Sequence, residues 1–347
     1  MFSKSSIRMH RVTCLSRRLR KVVVTARPFD STLEMLRLAA DEVVHNPLLK
    51  PWSTDELHAH AAEAEALLCF MTDRVDASFL EASPRLRHIA CALKGYDNFD
   101  VEACSARGIA VTVVPDLLTA PTAELAIALT LGIGRHVVDG DRLVRTGKFC
   151  GWRPQLYGVG LAGSTVGLLG FGAVGRAVAA RLQGFGVGNL LYSDLHAAPA
   201  EIERRWGASR VSEGVEELLS RSDVLIVCTP LTPGTRHLVD QAALQHAKPG
   251  LLLVNISRGS CVSEAAVAEA LDHGVLRGYA ADVFEFEDWA LPARPAAIEP
   301  RLLTHERTLL SPHLGSAVAT VRRQIEHDAA QEIVRLSKGE APHNRVN

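Results

Sequence analysis

Three residues of complementary chemistry each stand just past an apolar run. Arg258 follows "LLLVNIS", Glu287 follows "GYAADVFEF" and His313 follows "TLLSP". An arginine can hold an oxyanion with two hydrogen bonds. A histidine can move a proton near neutral pH, and a carboxylate can orient the imidazole and favour its charged form. Taken singly, each has a plainer reading: a surface ion pair, a solvated acid, a satisfied polar side chain. Brought together at strand ends, they describe a site that moves a proton beside a bound oxyanion. Of the acids in "GYAADVFEFEDWA", Glu287 is assigned to His313, while Glu285 and Asp288 are read as solvated or structural.

Such convergence needs a particular scaffold. The segments "STVGLLGFG", "LLYSD", "DVLIVCTP", "LLLVNIS", "GYAADVF" and "TLLSPH" read as strands, most with helical stretches between them. Alternation of this kind implies a doubly wound parallel sheet, in which the carboxyl ends of the strands share one crevice. Upstream, "KVVVTARP", "EALLCFM" and "LRHIACAL" begin a second alternation. The expected fold class is therefore α/β, with two doubly wound parallel-sheet domains. Between them, "TAPTAELAIALTLGIGRHVVDGDRLVRTG" reads as one long apolar helix running to about Val144, a hinge or a subunit contact. Pro121 suits its first turn, Glu124 its positive end and Gly147 its termination.

The segment "TVGLLGFGAVGRAVAARL" holds Gly170-x-Gly172-x-x-Gly175 between a strand and a helix. Glycines there allow a tight turn and close approach of backbone to a pyrophosphate, which the helix N-terminus attracts. Asp194 ends the next strand, about 20 residues on, where a carboxylate can accept both adenosine ribose hydroxyls and repel a 2′-phosphate. Leu195 and His196 follow it and bring no arginine. NAD is expected over NADP. A glycine-rich packing turn with a capping Asp is the plainer alternative.

The chain has 347 residues, 47% apolar and 22% charged, with a net charge of −1. That length suits two domains, and that charge gives no footprint for nucleic acid or an anionic membrane. Seven cysteines occur singly without a CxxC, so neither a disulfide framework nor a zinc ribbon is indicated and a reduced, cytoplasmic setting is expected. No metal site is apparent. Residues 1–20 are rich in Arg and Ser and are read as a flexible extension. A transit peptide and a start at Met9 are the other readings.

The set "GFGAVG", "NISRGS", "DVFEFE" and "SPHLGS" resembles the D-isomer-specific 2-hydroxyacid dehydrogenase family from about Lys21 onward. That resemblance implies a Rossmann cofactor domain, 118–311, inserted into a flavodoxin-like substrate domain, 21–117 plus 312–340. It also implies a homodimer, and Arg258, Glu287 and His313 as the catalytic set. Further segments, "CALKGYDNFDVEAC", "GWRPQLYG" and "GYAADVFEFEDWA" among them, are most similar to members of the family that oxidise phosphite to phosphate with NAD. Hydroxyacid members usually carry Pro after the catalytic Glu, where this chain has Asp288 and Trp289.

By that resemblance the substrate is held by Lys94, with Leu93, Gly95, Met71, Arg258, Trp152, Tyr157, Ser316 and Arg322 at or near it. The cofactor is implied to meet Thr122, Gly170, Gly172, Ala173, Val174, Gly175, Asp194, Thr229, Pro230, Ile256, Asp282 and His313, with Asp282 reaching the nicotinamide carboxamide. His313 is the expected base, with Arg258 a second candidate. Two departures stand out: Ile256 where Pro is usual, and Asp194 where a longer acid is. Two other readings remain open at this point. One is a dehydrogenase of 2-hydroxy acids or reductase of 2-oxo acids; the other is a non-catalytic NAD-sensing protein.

Overall fold

The computed structural model describes residues 17–347. The extension expected over residues 1–20 lies outside the described residues as far as residue 16, and its last two positions already belong to a strand that begins at Leu19. The chain forms two compact units. One takes residues up to Ala92, Asp100–Val114 and Glu326–Asn347; the other takes Leu93–Phe99 and Pro115–Ile325. This partition differs from the expected one where it matters for chemistry. Leu93, Lys94 and Gly95 fall in the second unit, and so do His313, Ser316 and Arg322.

The first unit is built on five parallel strands: β1 (Leu19–Val24), β2 (Ala40–His45), β3 (Ala66–Cys69), β4 (His88–Cys91) and β5 (Ala110–Thr112). Their order is β2-β1-β3-β4-β5, the flavodoxin-like order. Val22 to Val24 and Ala66 to Leu68 are fully buried, because helices cover both faces of such a sheet and make its strands continuously apolar. The loop after β3 carries Met71 and is fastened by Asp73. That buried carboxylate accepts the Phe70 N–H at 2.7 Å and the Thr25 hydroxyl. Burial pushes its carboxyl up to about 6, against the pull of the Thr25 hydrogen bond.

The second unit has seven parallel strands: β6 (Thr165–Leu169), β7 (Asn189–Ser193), β8 (Ala208–Arg210), β9 (Val224–Val227), β10 (Leu251–Asn255), β11 (Leu276–Ala281) and β12 (Thr308–Leu310). The order β12-β11-β10-β9-β6-β7-β8 reverses between β6 and β9, the switch point where doubly wound sheets bind nucleotides. Two apolar cores flank the sheet. One gathers Leu225, Leu253, Val267 and Tyr279, the other Leu168, Val178, Ile226 and Val254. The sequence offers six strands here, and β8 is the seventh. Its "ASR" is too short and polar to carry an apolar alternation.

The expected single helix is two. Thr119–Gly134 ends at Arg135, and Val137–Arg145 starts after His136, whose φ of 52° is left-handed. The break has a partner: Val159 donates its N–H to the Gly134 carbonyl at 2.8 Å. A Cβ on Gly158 would stand 2.0 Å from that same oxygen, so only glycine permits the approach. Ala123, Ala126, Ile127, Leu129 and Ile133 of the first helix are buried within the unit's own core. The second helix buries none of its residues. Among the described residues, no helix is long and apolar enough to cross a membrane.

Candidate active site

The glycine motif takes the shape its chemistry needs. Gly170 leaves β6 with a φ of 97°, and Gly172 caps the helix Ala173–Leu182. A Cβ on Gly170 would meet the Thr229 nitrogen at 2.9 Å, and one on Gly175 the Gly170 carbonyl oxygen at 2.3 Å. A side chain at Gly170 would push the end of β6 from the loop after β9, and one at Gly175 would push it from the start of the helix. Gly172 differs, since no atom lies within 4 Å of where its Cβ would stand. Open space at a helix N-terminus, with Ala173 exposed and Val174 half-buried beside it, fits the pyrophosphate of a dinucleotide. Asp194 directly follows the neighbouring strand β7 and accepts the Phe171 N–H at 2.7 Å, so its carboxylate is anchored at the mouth of the loop. Thr229, half-buried, and Pro230, exposed, follow β9. Ile256 is buried at the end of β10.

His313 and Glu287 meet. The His313 Nδ1–H donates to Glu287 Oε2 at 2.7 Å, while Glu287 Oε1 accepts the Phe284 N–H at 2.9 Å. With Nδ1 engaged as donor, Nε2 is the atom left to take a proton. His313 itself is strained, with a φ of 55°, a region that costs a residue other than glycine about 1–3 kcal/mol. Asp282 holds it there. It is 1% exposed, and its carboxylate accepts Ser311 Oγ–H at 2.5 Å, Leu314 N–H at 2.7 Å and Gly315 N–H at 2.8 Å. Its carbonyl accepts the His313 N–H at 2.9 Å. Burial pushes the Asp282 carboxyl up, against these hydrogen bonds. Asp282, expected to reach the cofactor, is thus engaged three times inside the protein. Thr122 stands against the same turn, donating to the Leu118 and Gly315 carbonyls at 2.7 and 3.3 Å.

Arg258 comes from the loop after β10. Asn255 knits that loop, donating to the Arg258 carbonyl at 3.0 Å and accepting the Ser257 N–H at 3.1 Å. The Arg258 Nε reaches both oxygens of Asp97, at 3.2 and 3.3 Å. A Cβ on Gly95 would lie 2.0 Å from Arg258 Nη2, so the guanidinium rests on the backbone beside Lys94. Asp97 is a site residue that sequence reasoning missed, although it stands in "ALKGYDNFD", three positions after Lys94.

The loops that carry Arg258 and Glu287 are joined to each other. A Cβ on Gly259 would fall 1.9 Å from the Phe284 carbonyl carbon, so the Arg258 loop and the Glu287 loop touch backbone to backbone. Asp288 ties the contact by accepting the Ser260 N–H at 2.7 Å. It is 2% exposed, and burial pushes its carboxyl up. Glu285 accepts from Glu264 N–H and bonds His237 Nε2, both at 2.8 Å. Glu285 and Asp288 are structural, and Asp288 is not solvated.

The remaining expected substrate residues are scattered in character. Leu93 is buried. Arg322 Nη1 donates to Ser316 Oγ at 3.5 Å. Trp152 and Tyr157 are 77% and 71% exposed, and Met71 belongs to the first unit. Among the described residues no group of His, Cys, Asp and Glu is arranged to hold a metal ion.

A glycine-rich strand–helix turn at a switch point, with an Arg, a Glu–His pair and further acids that brace their loops, defines a nucleotide-dependent oxidoreductase. The chain belongs to the D-isomer specific 2-hydroxyacid dehydrogenase family, whose NAD-binding domain matches residues 127–315. It is 36% identical over 334 residues, 94% of each chain, to a glyoxylate reductase of Thermofilum pendens. A protein of Thermus thermophilus shares the fold with a TM-score of 0.84 at 34% identity, over 94% of this chain and 100% of that one. An NADPH-dependent glyoxylate/hydroxypyruvate reductase of Sinorhizobium meliloti, solved with NADP and malonate, gives 0.80 at 27% identity, over 94% of this chain and 96% of that one. This chain is an NAD-dependent oxidoreductase.

The Asp288 tie makes a direct prediction. Asp288→Ala leaves the Ser260 N–H without its acceptor, so stability should fall by about 1–3 kcal/mol and turnover should fall with it. Denaturant melts and steady-state rates check this. Unchanged values of both would mean that the two loops hold together without the carboxylate.

Proposed function

We propose that the chain oxidises phosphite to phosphate, with NAD as the hydride acceptor. The observation that carries this reading is Lys94. It is half-buried and has no ion-pair or hydrogen-bond partner among the described residues. The Arg258 guanidinium rests on the next residue, Gly95. A half-buried ammonium without a carboxylate wants an anion, because an uncompensated charge out of water is costly. Phosphite is small, tetrahedral and largely dianionic at neutral pH, and suits two cations. A 2-hydroxy acid brings one negative charge.

The chain's own groups divide the work. Lys94 and Arg258 hold the oxyanion, and Asp97 fixes the guanidinium through its Nε. Glu287 keeps His313 with Nδ1–H as donor, so Nε2 takes the proton of an attacking water. Bound NAD supplies the hydride acceptor. The P–H bond breaks with its electron pair leaving as hydride, a P–O bond forms from water, and the water's proton passes to His313.

A second reading rests on the relatives, several of which are glyoxylate reductases 36–38% identical to this chain. In it, Arg258 holds the carboxylate of a 2-oxo acid and His313 gives a proton to its carbonyl oxygen. Initial rates separate the two. Phosphite with NAD should form NADH and phosphate, while glyoxylate with NADH, and D-lactate or D-glycerate with NAD, should react at least about tenfold more slowly. His313→Asn should lose about 10²–10⁴-fold in rate, and Lys94→Ala should chiefly raise KM for phosphite, by about tenfold or more. Turnover of glyoxylate without phosphite would install the second reading, and turnover of neither would favour a sensing role.

The homodimer expected from the long helix gains a different basis. Val137, Val144, Phe149, Trp152, Leu156 and Tyr157 are all exposed apolar residues within one stretch of chain, and a second copy is the partner proposed to cover them. Light scattering at micromolar concentration should report a dimer, and Trp152→Asp with Val144→Asp should shift it toward monomer. A monomeric parent protein would remove the proposal.

A further inference from the structure

Strand β8, absent from the sequence reading, places a cation where the sequence offers none. We propose that Arg210 makes the adenosine end of the cofactor site a latent receptor for the 2′-phosphate of NADP, with Asp194 the gate that keeps NAD preferred.

Arg210 is the last residue of β8 and sits in register with Tyr192 of β7, two positions before Asp194. Its Nη2 donates to the Asp194 carbonyl at 2.8 Å and the Leu195 carbonyl at 3.2 Å. Both bonds come from one nitrogen. A guanidinium has five N–H donors, and those on Nε and Nη1 have no hydrogen-bond or ion-pair partner among the described residues. The nearby acid Glu203 is engaged with the Tyr192 hydroxyl at 2.6 Å. Leu195 is 85% exposed, so the turn is open to a ligand. A fixed, unneutralised guanidinium with donors to spare suits a phosphate.

Against it stands the Asp194 carboxylate. Its bond to the Phe171 N–H ties it to the glycine loop, so it cannot readily swing away from an incoming 2′-phosphate. Attraction and repulsion are therefore supplied by neighbouring residues, and removing Asp194 leaves the attractive half in place. This inference rests on dinucleotide binding at the glycine loop and not on which substrate is oxidised.

Binding measurements test it without any substrate. NADH and NADPH affinities are read by fluorescence titration of the full chain and of Asp194→Ala, Asp194→Ala/Arg210→Gln and Asp194→Ala/Arg210→Lys. Asp194→Ala should raise the NADPH-to-NADH affinity ratio by about tenfold or more, the worth of one charge-assisted hydrogen bond. Arg210→Gln in that background should cancel most of the gain, and Arg210→Lys should keep part of it. An equal ratio with and without Arg210 would overturn the proposal. A readout free of any change at Arg210 guards against misfolding. In Asp194→Ala, adenosine 2′,5′-bisphosphate should displace NADH more strongly than 5′-AMP, and equal displacement would equally overturn the proposal. Failure of every variant and of the parent chain to bind NADH would instead remove the cofactor assignment beneath it.

Discussion

One buried carboxylate sets the geometry on which the site depends. Asp282 directly follows β11 and accepts three hydrogen bonds from the turn Ser311–Gly315, and that turn holds His313 in a left-handed conformation. The strain has a use, because it presents the imidazole to Glu287 at 2.7 Å. Losing any one of the three bonds would allow the turn to relax and the imidazole to leave its acid. Charge is the natural means for this. A neutral acceptor at the same place would bond the same groups more weakly, and the cost of burying the carboxylate is offset by several N–H and O–H donors.

Arg258 and Glu287 are braced in the same manner. Arg258 is steered by Asp97, Glu287 rides on a loop locked by Glu285 and Glu264, and Asp288 joins that loop to the one bearing Arg258. With Asp282, six acids thus brace the site, and among them Glu287 is the one that bonds the imidazole. Lys94 stands apart from this scheme. Its ammonium has no such acid among the described residues, and the proposal of a doubly charged substrate rests on that difference in charge balance. The family membership supplies the dehydrogenase chemistry, and the charge pattern around Lys94 is the ground on which phosphite is proposed.

Much of this was legible in the sequence because it depends on short-range pattern. The strand–glycine–helix signature around Gly170 and the strand-end positions of Arg258, Glu287 and His313 need only a local apolar run and a turn. What stayed hidden depends on partners far along the chain. The helix break at His136 follows from Val159 reaching the Gly134 carbonyl, and no residue near 136 announces it. Asp97 bonds a side chain 161 positions away. Asp288 reads as one more acid in an acidic stretch until Gly259 brings Ser260 beneath it. Strand β8 has three residues at a sheet edge, where pairing with β7 matters more than propensity.

The source of the transferred hydrogen tests the central claim most directly. Phosphite carrying deuterium on phosphorus should give NADH with that deuterium at C4 of the nicotinamide, one atom per phosphate formed, as read by proton NMR and mass spectrometry. NADH without deuterium, or no NADH while a 2-hydroxy acid is oxidised, would contradict phosphite oxidation at this site.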